Sequence, residues 1–145
     1  MRPSPDEYFI NIVKEVAKRS TCLRSQDGAV IVRGMQIVST GYNGAPSKIT
    51  HCSEVGCIRE QNNIPSGERH ELCRGAHAES NAIVYAARYG ISVEGATMYC
   101  TRFPCSFCAK CITNSGIKRV VFIEDYPDEL AKDMLRNVVV ERGIT

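Results

Sequence analysis

"GATMYCTRFPCSFCAKCITNSGIKRVVFIE", residues 95–124, is the stretch on which the fold turns. Residues 96–101 read as a strand. Residues 105–115 read as a helix, and Gly116 supplies the left-handed stop that often follows one. Residues 118–124, "KRVVFIE", are a β-branched run and read as a second strand. Upstream, "HAESNAIVYAARY" over 77–89 carries Ala78, Ala82, Ile83, Ala86 and Ala87 on one helical side, with Gly90 after it. Before that helix, residues 42–74 have no sustained periodicity. A loop of that length inside a compact domain is usually functional or held by something. "GAVIVRG" over 28–34 and "QIVSTG" over 36–41 form a hairpin that breaks at Gly34-Met35. Ser4-Pro5-Asp6-Glu7 is a helix start, with Ser4 as cap, Pro5 in the first turn and Glu7 closing a capping box. Phe9, Ile12, Val13, Val16 and Ala17 continue it as an apolar stripe. Residues 127–142 read mostly as helix, although Val138-Val139-Val140 favours a strand beginning there. The order α-β-β-α-β-α-β-α predicts a mixed sheet with helices on its faces.

The chain has 145 residues, which suits one domain over 1–145. That length buries about two-thirds of the unfolded surface, so no disulfide staple is needed for size alone. The formal net charge is +2. A sum so near balance points to neither a general nucleic-acid coat nor a membrane-surface partner. Residues 1–20 include Asp6, Glu7 and Glu15, unlike a secretory leader, and no apolar run reaches bilayer length. The expectation is a soluble cytoplasmic protein whose thiols stay reduced. Its eight cysteines are then metal ligands or core residues rather than disulfides.

Cys105 and Cys108, three apart at a helix start, share one face and can hold a single metal. Amide donors and the helix dipole there favour thiolates. Pro104 fixes the entry without needing a donor. In isolation the pair also fits a redox motif or two buried thiols. His77 and Glu79 open another helix and point in different directions around its axis. One can bind a metal while the other faces a substrate beside it. Taken together, His77, Cys105 and Cys108 give three zinc ligands with a fourth position open, the catalytic rather than the structural pattern. Glu79 is the acid–base partner next to them. H-x-E followed by P-C-x-x-C is the signature of zinc nucleobase deaminases. Cys111 makes a second, overlapping CxxC and reads as core, as does Cys100.

The chain resembles the deoxycytidylate deaminases of the cytidine deaminase superfamily. The matching stretches are "RSTCLRSQDGAVIV" (19–32), "STGYNGAPS" (39–47), "HAESNAI" (77–83), "GATMYCTRFPCSFCAKCI" (95–112) and "GIKRVVF" (116–122). It is also similar to bacterial late-competence deaminase-like proteins, which share these motifs. The resemblance implies a three-layer α-β-α fold with a central mixed five-stranded sheet. The fifth strand would be short, absent or begin near Val138. The implied reaction is zinc-dependent hydrolysis of dCMP to dUMP and ammonia, feeding thymidylate synthesis. A zinc-activated water attacks C4 while Glu79 shuttles protons. Asn43 resembles a residue that contacts the nucleotide sugar, although beside Gly44 it also reads as an ordinary turn residue. Ala78 falls among the substrate contacts. Arg24, Ser25 and Lys48 are candidates for the phosphate, and each also reads as solvated surface.

Scattered thiols and imidazoles in the long loop can form a closed structural zinc site. By resemblance its ligands are Cys22, Cys52, His70 and Cys73, with Cys57 and His51 as rivals. Relatives are commonly hexamers activated by dCTP and inhibited by dTTP. That places Gly41, Tyr42, Gly44 and Arg88 at an effector or subunit contact, with Mg²⁺ accompanying a triphosphate. Two other readings share the motifs: a deaminase of another base or of nucleic acid, and a zinc protein without turnover. A merely structural site has no use for Glu79, which argues against the last.

Overall fold

The computed structural model describes residues 1–143. Helix α1 (Pro5–Ala17) begins at Ser4, whose Oγ accepts from the Glu7 amide at 3.2 Å. Strands β1 (Gly28–Arg33) and β2 (Gln36–Tyr42) form the antiparallel hairpin, turning through Gly34 and Met35, both at positive φ. The long loop follows. It contains two single-turn helices, α2 (Cys52–Val55) and α3 (Ile58–Gln61), and a 3₁₀ turn over His70–Leu72. Next come α4 (Ala78–Arg88), β3 (Thr97–Arg102), α5 (Ser106–Ser115), β4 (Arg119–Glu124), α6 (Glu129–Met134) and β5 (Val139–Arg142).

The five strands lie in the order β2-β1-β3-β4-β5. β1 is antiparallel to both neighbours, whereas β4 runs parallel to β3 and β5. The strand–helix–strand unit over 95–124 thus becomes the parallel half of a mixed sheet. Side-chain alternation sorts the core into two layers. Ala29, Ile31, Met98, Cys100 and Val120 face α4, α5 and α6. Val30, Val32, Tyr99 and Val121 face Phe9, Ile10 and Val13 of α1. β1 is buried on both faces, which is why "GAVIV" reads as a continuous apolar run rather than an alternating one.

The expected last helix is shorter than its sequence suggests. It ends at Met134, and the chain returns as β5, with Val139 opposite Arg119 and Val140 opposite Val120. Three consecutive β-branched residues fit a pleated edge better than a helix. This strand ties back to the N-terminus through Arg119. The Arg119 guanidinium donates to both carboxylate oxygens of Asp6, at 3.0 and 2.7 Å, and its Nε donates to Glu141 at 2.9 Å. The Tyr99 hydroxyl donates to Asp6 at 2.6 Å. Among the described residues, no helix is long and apolar enough to cross a membrane.

Candidate metal centre

Two helix N-termini meet on the face of the sheet opposite α1. His77 is the N-cap of α4 and Cys105 the N-cap of α5, both in extended backbone geometry, and neither side chain makes a capping hydrogen bond. Each side chain instead turns toward the other helix. His77 Nδ1 lies 3.3 Å from Cys105 Sγ and 3.5 Å from Cys108 Sγ. The three ligand atoms lie within 4.8 Å of one another, the only such group of three among the described residues. Tetrahedral zinc, with Zn–N near 2.0 and Zn–S near 2.3 Å, would separate a nitrogen from a sulfur by about 3.5 Å. The spacing and the soft donor set therefore fit zinc.

Glu79 sits one residue into α4 from this cluster and is buried. Burial pushes its carboxyl up to about 7, although the Cys108 hydrogen bond and His77 pull the other way. Cys105 is lowered to about 4, first by the hydrogen bond from Cys108, against burial, and then by the one with His77. Cys108 is pushed up by the same Cys105 contact and by burial. His77 is raised by its bond to Cys105. Two thiols and an imidazole in hydrogen-bond contact thus share protons, and a metal that binds there displaces them.

The loops around the centre are held by named ties. Gly44 and Ala76 exchange backbone hydrogen bonds at 3.1 and 2.7 Å, which pins the residue before His77 to the "GYNG" segment. Asn81 Nδ2 donates to the Tyr42 carbonyl at 2.9 Å. Gly41 has the α4 backbone directly against it, and a Cβ added there would lie 2.3 Å from Ala78 O. Asn43 Oδ1 accepts from the Asp27 amide at 2.9 Å and Nδ2 donates to Ser25 O at 2.8 Å. Asp27 in turn accepts from Ser25 Oγ at 2.7 Å and Thr101 Oγ1 at 3.1 Å. Arg102 donates to Ser25 Oγ at 2.9 Å and lies 3.6 Å from Asp27. Asp27 and Arg102 escape a local reading, because apart from Ser25 beside Asp27 their partners lie 16 to 77 residues away in the chain.

Other residues singled out from sequence are more dispersed. Arg24 donates to Ile64 O at 2.7 Å and lies 3.5 Å from Glu60, so it braces the long loop. Ala78 is buried at the start of α4. His70 stands with its ring 6.5 Å from that of His77, and His51 Nδ1 pairs with Thr21 Oγ1 at 3.0 Å. The Cys52 thiol is pushed up by burial first, then by Cys73, Cys57 and Cys22, with Arg74 opposing. Cys73, Cys57 and Cys22 thus act on Cys52, although no three of these four bring their sulfurs within 4.8 Å of one another. Cys100 is buried as expected, but Cys111 is only half-buried rather than a core residue. Gly41, Tyr42, Gly44, Lys48 and Tyr85 line a cavity of about 520 Å³ between β2 and α4. Arg88, in the last turn of α4, lies over the Tyr89 ring at 5.8 Å.

Fold and site define a class: α/β proteins that can hold one metal between two helix N-termini, with a buried carboxyl group beside it. The profile of the cytidine and deoxycytidylate deaminase zinc-binding region matches residues 3–124. A deoxycytidylate deaminase of Schizosaccharomyces pombe is 41% identical over 125 residues, covering 86% of this chain and 38% of its own length. One from Mycobacterium phage D29 is 42% identical over 126 residues, covering 83% of this chain and 95% of its own. The solved dCMP deaminase of cyanophage S-TIM5, in complex with dCMP and dUMP, superposes with a TM-score of 0.81 at 30% identity, covering 98% of each chain. The chain belongs to the cytidine and deoxycytidylate deaminase family. It spans well under half the length of the fission-yeast relative and nearly all of the D29 phage protein.

Proposed function

We propose that this chain hydrolyses dCMP to dUMP and ammonia. The observation that carries the reading is the meeting of His77, Cys105 and Cys108 at ligand spacing beside the buried Glu79. The phage relatives support dCMP as the substrate. Zinc held by these three residues would supply Lewis acidity and lower the pKa of a water toward ~7. Glu79 takes the proton of the attacking water, passes it to N3 of the cytosine, and later delivers a proton to the departing amine. Its burial keeps bulk water from competing for those protons. Asn43, after its two ties to the 25–27 backbone, keeps one N–H and one oxygen lone pair for the sugar. Ser25, Arg24 and Lys48 are the candidates for holding the phosphate, and Ala78, buried at the start of α4, for a contact with the base. The dUMP formed feeds thymidylate synthesis in the cytoplasm.

A second, structural zinc fits the thiol group in the long loop. Its candidate ligands are Cys22, Cys52, His70 and Cys73, with Cys57 and His51 as rivals. The cavity lined by Gly41, Tyr42 and Gly44 fits an effector such as dCTP or dTTP with Mg²⁺. The unpaired edge of β2, with Ile37, Val84, Tyr89 and Ile91 exposed nearby, fits subunit contacts in a hexamer that would also engage Arg88.

The test is ammonia release and the loss of cytosine absorbance with dCMP, run beside cytidine, dCTP and a cytosine oligonucleotide. Turnover of dCMP, abolished in Glu79→Gln, is the expected result. Turnover of the oligonucleotide but not of dCMP would transfer the chain to nucleic-acid editing. Stoichiometric zinc with no turnover of any substrate would leave only a structural role. Metal analysis giving two zincs per chain, falling to one in Cys52→Ser, would support the second site.

A further inference from the structure

Helix α5 has a problem that its sequence does not solve. The first four amide donors of a helix lack intrahelical partners, and the N-cap side chain usually satisfies one of them. Here the N-cap is Cys105, whose side chain points to His77 and makes no cap bond. The donor comes to rest on a different residue. The amide of Ser106, the first residue of α5, donates to Asp128 Oδ2 at 2.8 Å. Asp128 is also the N-cap of α6, where its Oδ1 accepts from the Ala131 amide at 2.9 Å. One carboxylate thus holds the starts of two helices, with an oxygen for each. It lies 22 residues beyond Ser106 and reaches it from the loop after β4.

We propose that Asp128 is a positioning residue for the metal centre: it caps α5 in place of Cys105, which leaves the Cys105 side chain free for the metal and fixes Cys105 and Cys108 relative to His77. The geometry is specific to a carboxylate. Asn has one acceptor oxygen and would turn an N–H toward one of the two amides. Ser can cap α6 but has a single short oxygen, so it cannot also reach Ser106. The partners of metal ligands govern metal affinity by ~10- to 100-fold, and Asp128 holds the backbone between two of the ligands.

This rests on His77, Cys105 and Cys108 binding zinc, so two variants are compared with the wild-type chain, reconstituted with Zn²⁺ and titrated with EDTA. Asp128→Ser keeps the α6 cap and drops the bond to Ser106. Ser106→Pro removes the donor from the other side. Proline suits the first helical position, and the extended Cys105 backbone, with φ −72° and ψ 170°, accepts a following proline. The expected result is zinc affinity weaker by ~10- to 100-fold in each variant. The double variant should lose no more than either single one. The zinc-free variants should melt somewhat below zinc-free wild type, as the loss of one helix cap requires, and the zinc-bound variants should fall further below zinc-bound wild type. Zinc affinity equal to wild type in Asp128→Ser overturns the proposal. So do losses that multiply in the double variant, or a fall in zinc-free melting temperature with affinity kept. A wild-type protein that fails to retain stoichiometric zinc would instead refute the metal reading on which it rests.

Discussion

Replacing Gly41 with alanine is the sharpest test of how the sheet places the metal centre. A Cβ at this position would lie 2.3 Å from the carbonyl oxygen of Ala78 and 2.6 Å from the amide nitrogen of Ala82. Both are backbone atoms of α4 and cannot rotate away. Ordinary contact begins at 3.4 Å, so the helix has to withdraw by roughly 1 Å. Overpacking of this kind costs about 1–3 kcal/mol, a fall in melting temperature of about 3–10 °C for a chain of this length. The chemistry should suffer more, because α4 carries Glu79 and begins at His77, and a 1 Å misplacement costs ~10²-fold in rate. Gly28→Ala is the control. Its Cβ would lie 2.8 Å from Val13 O and from Ala17 N in α1, on the other face of the sheet. Both variants should melt earlier in a thermal scan, but only Gly41→Ala should also lose dCMP turnover per bound zinc. Equal turnover in the two variants and wild type would refute the claim that β2 sets the position of α4.

Glu79→Gln should lower dCMP turnover by ~10²–10⁴-fold while the protein retains its catalytic zinc, as metal analysis beside the ammonia assay would show. The Arg119 guanidinium beside Asp6 holds its carboxyl below the usual value of 3.8. A depressed carboxyl contributes stability above its unfolded pKa and loses it as pH falls through the folded one. Asp6→Asn should therefore lower the unfolding free energy from urea titration at pH 7, by ~1 kcal/mol or less because the pair is partly exposed, and the gap to wild type should close below about pH 4. Burial first, and then the bond to Asp6, push the Tyr99 hydroxyl up to about 12. This group stabilises the fold below the ordinary tyrosine value near 10, and the contribution is lost as pH rises through 12. The difference in phenolate absorbance between wild type and Tyr99→Phe should then titrate near 12. A midpoint near 10 would mean that Tyr99 is neither buried nor bonded as described.

The metal-centre residues were legible because local punctuation marks them. Pro104 announces the start of α5, His77 and Glu79 open a strongly periodic helix, and each group sits within a few residues of its signal. The mixed sheet was legible for the same reason, since Gly34, Gly90 and Gly116 separate its elements. The failures are long-range or very short. α2 and α3 are four residues each, one turn, and no periodicity can declare a single turn. β5 was legible at Val138-Val139-Val140 as a strand start but not in its pairing, since its partner β4 lies 20 residues upstream. The helix expected from residue 127 onward matches the start of α6, but nothing near Asp128 showed that its second oxygen serves α5. Asp27 and Arg102 were passed over for the same reason. The "GYNG" segment was read as a ligand contact, whereas in the fold it also braces α4 through Gly41, Tyr42 and Gly44.

His77 is separated from Cys105 by 28 residues and from Cys108 by 31, with β3 between them. The unfolded chain therefore contains only the adjacent thiol pair, and the third donor arrives when α5 docks beside α4 on a finished sheet. That contact is non-local and has to wait for the sheet on which both helices pack. An ion bridging the two helices adds an interaction that forms late, after the folding barrier. Its kinetic signature would be a longer lifetime of the native state, with little change in the rate at which that state is reached. Metal loading would then act as a brake on unfolding, and chelation as its release.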